Sequence, residues 1–234
     1  MTPIHTAMVM AAGHGTRMRP LTDDRPKAMV EVAGRPLVDH TLDRLVAAGV
    51  RRAVVNVHAF ADLLEAHIRG RTDIEVVVSD ERDELLETGG GLVKALPLLG
   101  EAPVFVCNID AVWVEWEPVL PAMMEAWNAD AMDELFLLAP REHSLGFGGA
   151  GDFEMEGTTL SRRRGDTAPW VYAGVEILKP RLAAHHPVER FSRNRIWDEQ
   201  LQNNRVAGLP LPAYWMHVGD PEARRAAEAV LAGL

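Results

Sequence analysis

Residues 6–12, TAMVMAA, make a short apolar run that stops at Gly13, which predicts a buried strand feeding a loop. After a glycine-rich, charged segment, Val38, Leu42, Leu45 and Val46 recur at helical spacing, with Pro36 suited to the first turn and Gly49 placed to end it. The pattern then alternates. RAVVNV reads as a strand, FADLLEAHIRG as a helix, IEVVVS as a strand, GGGLVKALPLL as a glycine-initiated helix and PVFVCNID as a strand. WEPVLPAMMEAWN returns to helical spacing, ELFLLA and WVYAGVEIL read as strands around the glycine-rich LGFGGAGDFEM, and PEARRAAEAVLAGL predicts a closing helix. This β-α alternation predicts a mostly parallel sheet with helices on both faces and a ligand beyond the carboxyl ends of the strands. The second half is less regular, and antiparallel pairs are expected there.

The 234 residues fit one α/β domain, residues 1–234, with 47% hydrophobic and 25% charged positions and no repeat or linker. A formal net charge of −10 argues against nucleic acid, whose binding depends on neutralising phosphates. Cys107 is the only cysteine, so an intrachain disulfide is excluded. The apolar run near the N-terminus lacks a basic leader and is far shorter than the ~20 residues of a membrane span. A cytoplasmic protein without membrane partners, monomeric or a small homo-oligomer, is expected.

Against that acidic background, MAAGHGTRMRPLTDDRPKAMV (residues 10–30) gathers Arg17, Arg19, Arg25 and Lys27. With Asp23 and Asp24 counted, residues 14–27 carry four positive and two negative charges, +2 in all. The third glycine of a dinucleotide fingerprint is missing, position 18 being Met, and no Gly-Lys-Ser/Thr follows. What remains is a tight Gly13-x-Gly15 turn with cations just downstream, a chemistry suited to a phosphate chain. Read alone, the same residues are solvated charges beside an ordinary turn.

The full spacing, Gly13-x-Gly15-Thr16-Arg17-x-x-Pro20-Leu21-Thr22-x-x-x-Pro26-Lys27, fixes nine positions over fifteen after a strand ending in Ala11-Ala12. It resembles the sugar-1-phosphate nucleotidylyltransferase family. The resemblance continues through Glu87–Leu96, Asn108-x-Asp110, Tyr172–Leu178 and Trp215–Ala223. It implies a three-layer α/β/α, Rossmann-like nucleotidyltransferase fold with a mostly parallel mixed central sheet. It also implies transfer of a nucleotidyl group from a nucleoside triphosphate to a sugar 1-phosphate, with release of pyrophosphate. The compact length and the LLETGGGLVKALPLLG block resemble the members that use UTP and N-acetylmuramate α-1-phosphate in cell-wall sugar recycling. Mannose-1-phosphate guanylyltransferases and other NDP-sugar pyrophosphorylases share most of the motifs, and a non-catalytic nucleotide-sugar sensor on the same fold is the alternative from another class.

By the resemblance, Ala11, Ala12, Gly13, Gly15 and Thr16 cradle the triphosphate, Arg17 faces the leaving group and Lys27 the reacting phosphates. Glu87, Thr88, Gly89 and Gly90 approach the base and ribose, and Asn108, Asp152, Tyr172 and Gly174 line the sugar pocket. Asp110 is the expected ligand of Mg2+, with Mn2+ as the softer choice. Two positions depart from the family: Ile109 stands where Gly is usual, and His217 where the second metal carboxylate is usual. Three arrangements follow: His217 on a softer metal, Asp220 reaching in from the next turn, or Asp110 alone with water and phosphate. The plain alternative has His217 bonding a neighbour and Asp220 capping the last helix. Arg162, Arg163 and Arg164 are either a solvated run or a site for a sugar carboxylate. Cys107, Met123, Met124 and Trp127 read as core, and His185-His186 as loop.

Overall fold

The computed structural model describes residues 3–234. In chain order its elements are β1 (Thr6–Met10), β2 (Glu31–Val32), β3 (Arg35–Pro36), α1 (Leu37–Ala47), β4 (Arg52–Val57), α2 (Ala61–Ile68), β5 (Glu75–Asp80), α3 (Glu87–Leu99), β6 (Val104–Asn108) and β7 (Ala111–Glu115). Then come α4 (Val119–Ala126), β8 (Glu134–Pro140), β9 (Phe153–Glu156), β10 (Thr159–Arg162), β11 (Trp170–Leu178), α5 (Asn194–Gln202), β12 (Val206–Pro210), β13 (Ala213–His217) and α6 (Pro221–Ala232).

Nine strands join in the order β5-β4-β1-β6-β11-β8-β12-β10-β9. The first four are parallel, as the β-α alternation predicts. From β6 onward antiparallel pairs enter, as expected of the less regular second half, so the sheet as a whole is not mostly parallel: β11 runs antiparallel to β6 and β8, β12 is parallel to β8, and β10 is antiparallel to β12 and β9. The sheet is therefore mixed, with parallel pairing concentrated in its first half. The cause is topological: antiparallel strands need no crossover helix, and the second half supplies fewer helices. Trp170 of β11 also pairs with Phe153 of β9, so the last five strands curl back on themselves like a small barrel.

The period-2 pattern divides the core. Val9, Val55 and Phe105 face one way onto α1, α2 and α4 through Leu42, Leu64 and Met123. Met8, Val54 and Val106 face the other way onto α3 and α5 through Leu92 and Ile196. A third cluster, with Phe136, Phe153, Tyr172 and Trp197, fills the curled end. Cys107 is core, and burial pushes its thiol up to about 12. Met123, Met124 and Trp127 are buried as well.

Candidate active site

A cleft of about 480 Å³ opens at the carboxyl ends of β1, β4 and β6, where Met10, Asn56 and Asn108 reach it. Its floor and rim include Ala11, Ala12, Gly13, Gly15, Thr16, Arg17, Lys27, Glu87, Thr88 and Asp110. Of the four cations in the opening segment, two are spent locally. Arg19 pairs with Asp23 at 3.5 Å and Arg25 with Asp24 at 2.8 Å, whereas Arg17 and Lys27 line the cleft. The +2 of the segment thus belongs to the two side chains that face the cavity.

Gly15 is required where it stands. Its φ is +63°, and a Cβ there would come within 2.8 Å of the Lys27 Cβ, so glycine permits both the turn and the approach of Lys27. Lys27 Nζ then donates to Asp110 Oδ2 at 2.7 Å, and His217 Nε2 lies 3.4 Å from the same oxygen. Burial pushes the Asp110 carboxyl up, but the Lys27 charge and the His217 contact outweigh it and hold the group below the usual carboxylate range. The imidazole stacks on Trp215 at 5.8 Å, and its Nδ1 lies 3.4 Å from the Gly146 carbonyl.

Asp220 does not reach the cleft. Its Oδ1 accepts from Ala223 N at 2.8 Å and caps α6. Gly89 and Gly90 also serve another purpose. Their N–H groups donate to the Phe191 carbonyl, and a Cβ on either would strike the Phe191 ring or the Glu189 backbone. Glycine here admits the segment 189–191, while Glu87 and Thr88 beside it remain at the cleft.

Asp152 and Tyr172 likewise lie off this cavity. Asp152 Oδ2 accepts from Tyr172 N at 3.0 Å, and the Tyr172 ring is buried with Phe136 and Trp197. Gly174 takes φ +87° where the register of β11 against β8 shifts, 2.9 Å being all that would separate its Cβ from that of Ala111. Asn108 lines the cleft, and its buried Oδ1 has no protein partner. Ile109 is buried in the core while bordering the cleft. The arginine run is internally engaged: Arg162 with Asp198 and Asn194, Arg163 with the carbonyls of Gly151 and Gly165, and Arg164 with Glu154.

A family model described as the MobA-like NTP transferase domain matches residues 7–207. The chain belongs to this family. It is 53% identical, over 97% of its length and 96% of the relative's, to the N-acetylmuramate alpha-1-phosphate uridylyltransferase of Caulobacter vibrioides. It is 27% identical to the mannose-1-phosphate guanylyltransferase catalytic subunit beta of Danio rerio, over 92% of this chain but only 61% of that one. Among solved structures, a UDP-glucose pyrophosphorylase complexed with UDP-glucose superimposes with a TM-score of 0.79 at 15% identity, covering 98% of this chain and 99% of that one. The mixed α/β nucleotidyltransferase fold is thereby established.

This MobA-like domain holds its first loop by residues that the strand pattern conceals. Asn56 Oδ1 accepts from Ala11 N at 2.6 Å and Ala12 N at 3.1 Å, and Asn56 Nδ2 donates to Glu81 Oε1 at 2.7 Å. Glu81 Oε2 accepts from Leu86 N, so one buried pair ties the loop after β1 to the start of α3. A Cβ on Gly91 would lie 2.7 Å from Glu81 Oε1, which accounts for the third glycine. Farther back, Arg193 N donates to Thr88 Oγ1, while its side chain joins Tyr172 OH and Glu176. Burial drives the Glu176 and Glu134 carboxyls up, against the opposing charge of Arg193. The one readable trace of Asn56 is a lone amide in the apolar strand RAVVNV.

Proposed function

We propose that the protein transfers UMP from UTP to N-acetylmuramate α-1-phosphate, giving the UDP-sugar and pyrophosphate for reuse of cell-wall sugar. The near-full-length similarity to the Caulobacter vibrioides uridylyltransferase carries this reading. The attacking oxygen is already anionic, so the reaction needs no general base. Its barrier lies in joining two polyanions and stabilising the departing pyrophosphate, which positioned cations address. Arg17 and Lys27, the cations of the opening segment that face the cleft, supply that charge, Arg17 toward the leaving group and Lys27 toward the reacting phosphates.

The donor set suits Mg2+. Asp110 is ionised at a strand end, Lys27 and His217 both engage its Oδ2, and a hard cation prefers such oxygen ligands. Bound there with substrate phosphates, the ion would screen charge on the transferring group. Mg2+ would be held by Asp110, with Asp220 engaged in capping α6 and a histidine at position 217. Asn108, bordering the cleft beside Asp110, stands on the side where the sugar phosphate would approach.

A matrix of four nucleoside triphosphates against N-acetylmuramate, mannose and glucose 1-phosphates, read as pyrophosphate release, tests the reading. The expected maximum is UTP with the N-acetylmuramate ester. A maximum with GTP and mannose 1-phosphate replaces it with the guanylyl alternative, and absence of pyrophosphate from every pair favours the sensor.

A further inference from the structure

On the face opposite α1, the turn after residues 180–182 delivers two adjacent imidazoles to the side of α5. His185 Nε2 lies 3.0 Å and His186 Nε2 3.3 Å from a single oxygen, Glu199 Oε2, and the two rings stand 4.0 Å apart. We propose that His185, His186 and Glu199 form a binding site for a borderline divalent transition ion of the zinc type, separate from the cleft.

The geometry favours coordination over a simple hydrogen-bonded cluster. The three ligand atoms lie within 4.8 Å of one another. Donors about 2.1 Å from a tetrahedral zinc ion are separated by about 3.4 Å, close to the two distances to Glu199. The second observation concerns His186. Its side chain is 2% exposed, yet Nε2 has no aligned hydrogen-bond partner despite lying beside Glu199. A buried ring nitrogen in that position is costly without a partner, and a cation is one that needs no hydrogen-bond alignment. His185 is 60% exposed, so an ion can enter and water can complete the shell. Two imidazoles and one carboxylate select zinc-like ions over Mg2+.

Such an ion would clasp the turn to α5. The His186 ring lies 5.3 Å from that of Phe191, whose carbonyl accepts from Gly89 and Gly90, and the next residue, Ser192, borders the cleft. The clasp would therefore steady the segment that seats the start of α3.

The test is zinc stoichiometry by equilibrium dialysis and elemental analysis, in excess Mg2+, on the chelator-treated protein, His185→Ala, Glu199→Gln and Asp110→Asn. Both altered side chains of the proposed site are solvent-accessible, so folding is preserved. The expected result is one zinc ion fewer per chain in His185→Ala and in Glu199→Gln than in the unaltered protein, with a zinc-dependent rise in Tm that both variants lose. Asp110→Asn retains that ion. Equal stoichiometry in the unaltered protein and the first two variants, or no zinc bound by any of them, overturns the proposal.

Discussion

Asp110 meets two opposing forces: burial, which favours its neutral acid, and the Lys27 and His217 contacts, which favour the anion and prevail. A depressed folded-state pKa contributes stability that is full above the unfolded value near 3.9 and disappears as pH falls through the folded value. The stability gap between the unaltered protein and Asp110→Asn should accordingly be flat from pH 5 to 8 and narrow below about 4 in urea titrations. Lys27→Ala removes the other half of the pair. Loss of one charge-stabilising donor should lower kcat by about 100- to 1,000-fold, roughly 3 to 4 kcal/mol. Steady-state pyrophosphate release, with melting curves to separate folding from turnover, checks this. Lys27 and Asp110 were legible because spacing and a strand-end acid announce them, whereas Asn56 was not, since one amide in an apolar strand looks like noise. Asn56→Ala would strand the amides of Ala11 and Ala12 and part the Glu81 pair. It should cost about 1–3 kcal/mol and raise KM for the nucleotide, measured by urea unfolding and initial rates.

At the level of elements, Asp133 gathers β8, β12 and the turn after β11. Its side chain, 7% exposed, accepts from Arg205 at 2.7 Å, Lys179 at 2.6 Å and Arg181 at 2.9 Å. Burial works against the carboxylate, but the Arg205 and Lys179 bonds prevail and hold it at about 2. Taken from 3.8 to that value, the shift amounts to about 2 kcal/mol of stability at neutral pH, fading as pH drops from about 4 toward 2. Asp133→Asn should lose that amount at pH 7 in chemical denaturation and converge with the parent in acid. The glycines separate in the same way. Gly13→Ala meets open space and should leave Tm unchanged, while Gly90→Ala drives a methyl into the Glu189 backbone and should lower Tm sharply. A run of glycines ahead of a helix cannot by itself say whether a ligand or another strand of chain approaches it; here the neighbour comes from residue 189, a hundred positions away. Strands β12 and β13 were also missed, because VAGLP carries glycine and proline and AYWMH is too short to declare a period.

Across the whole molecule, β1, β4, β5 and β6 were legible because each alternates with a helix, whereas in the curled second half only β8 and β11 were, because antiparallel closure leaves no such rhythm. The cleft belongs to the legible half, which is why its location followed from the strand order even where its individual contacts did not. If UTP with Mg2+ binds there, nucleotide at 100 times Kd should add about 2.7 kcal/mol. For a chain of this size that raises Tm by about 5 to 11 °C, and scanning calorimetry of Lys27→Ala should lose most of the rise. The Trp170–Phe153 pairing carries a different consequence. Because the far end of the nine-stranded sheet bends back to touch β11, the wholly unpaired border among the described residues is β5, whose valines 76–78 are flanked by Glu75 and Asp80. A strand-swapped dimer or fibril templated on this sheet would find its longest free edge along that acidic-ended seam, so neutralising Glu75 and Asp80 should lower the solubility of the molecule.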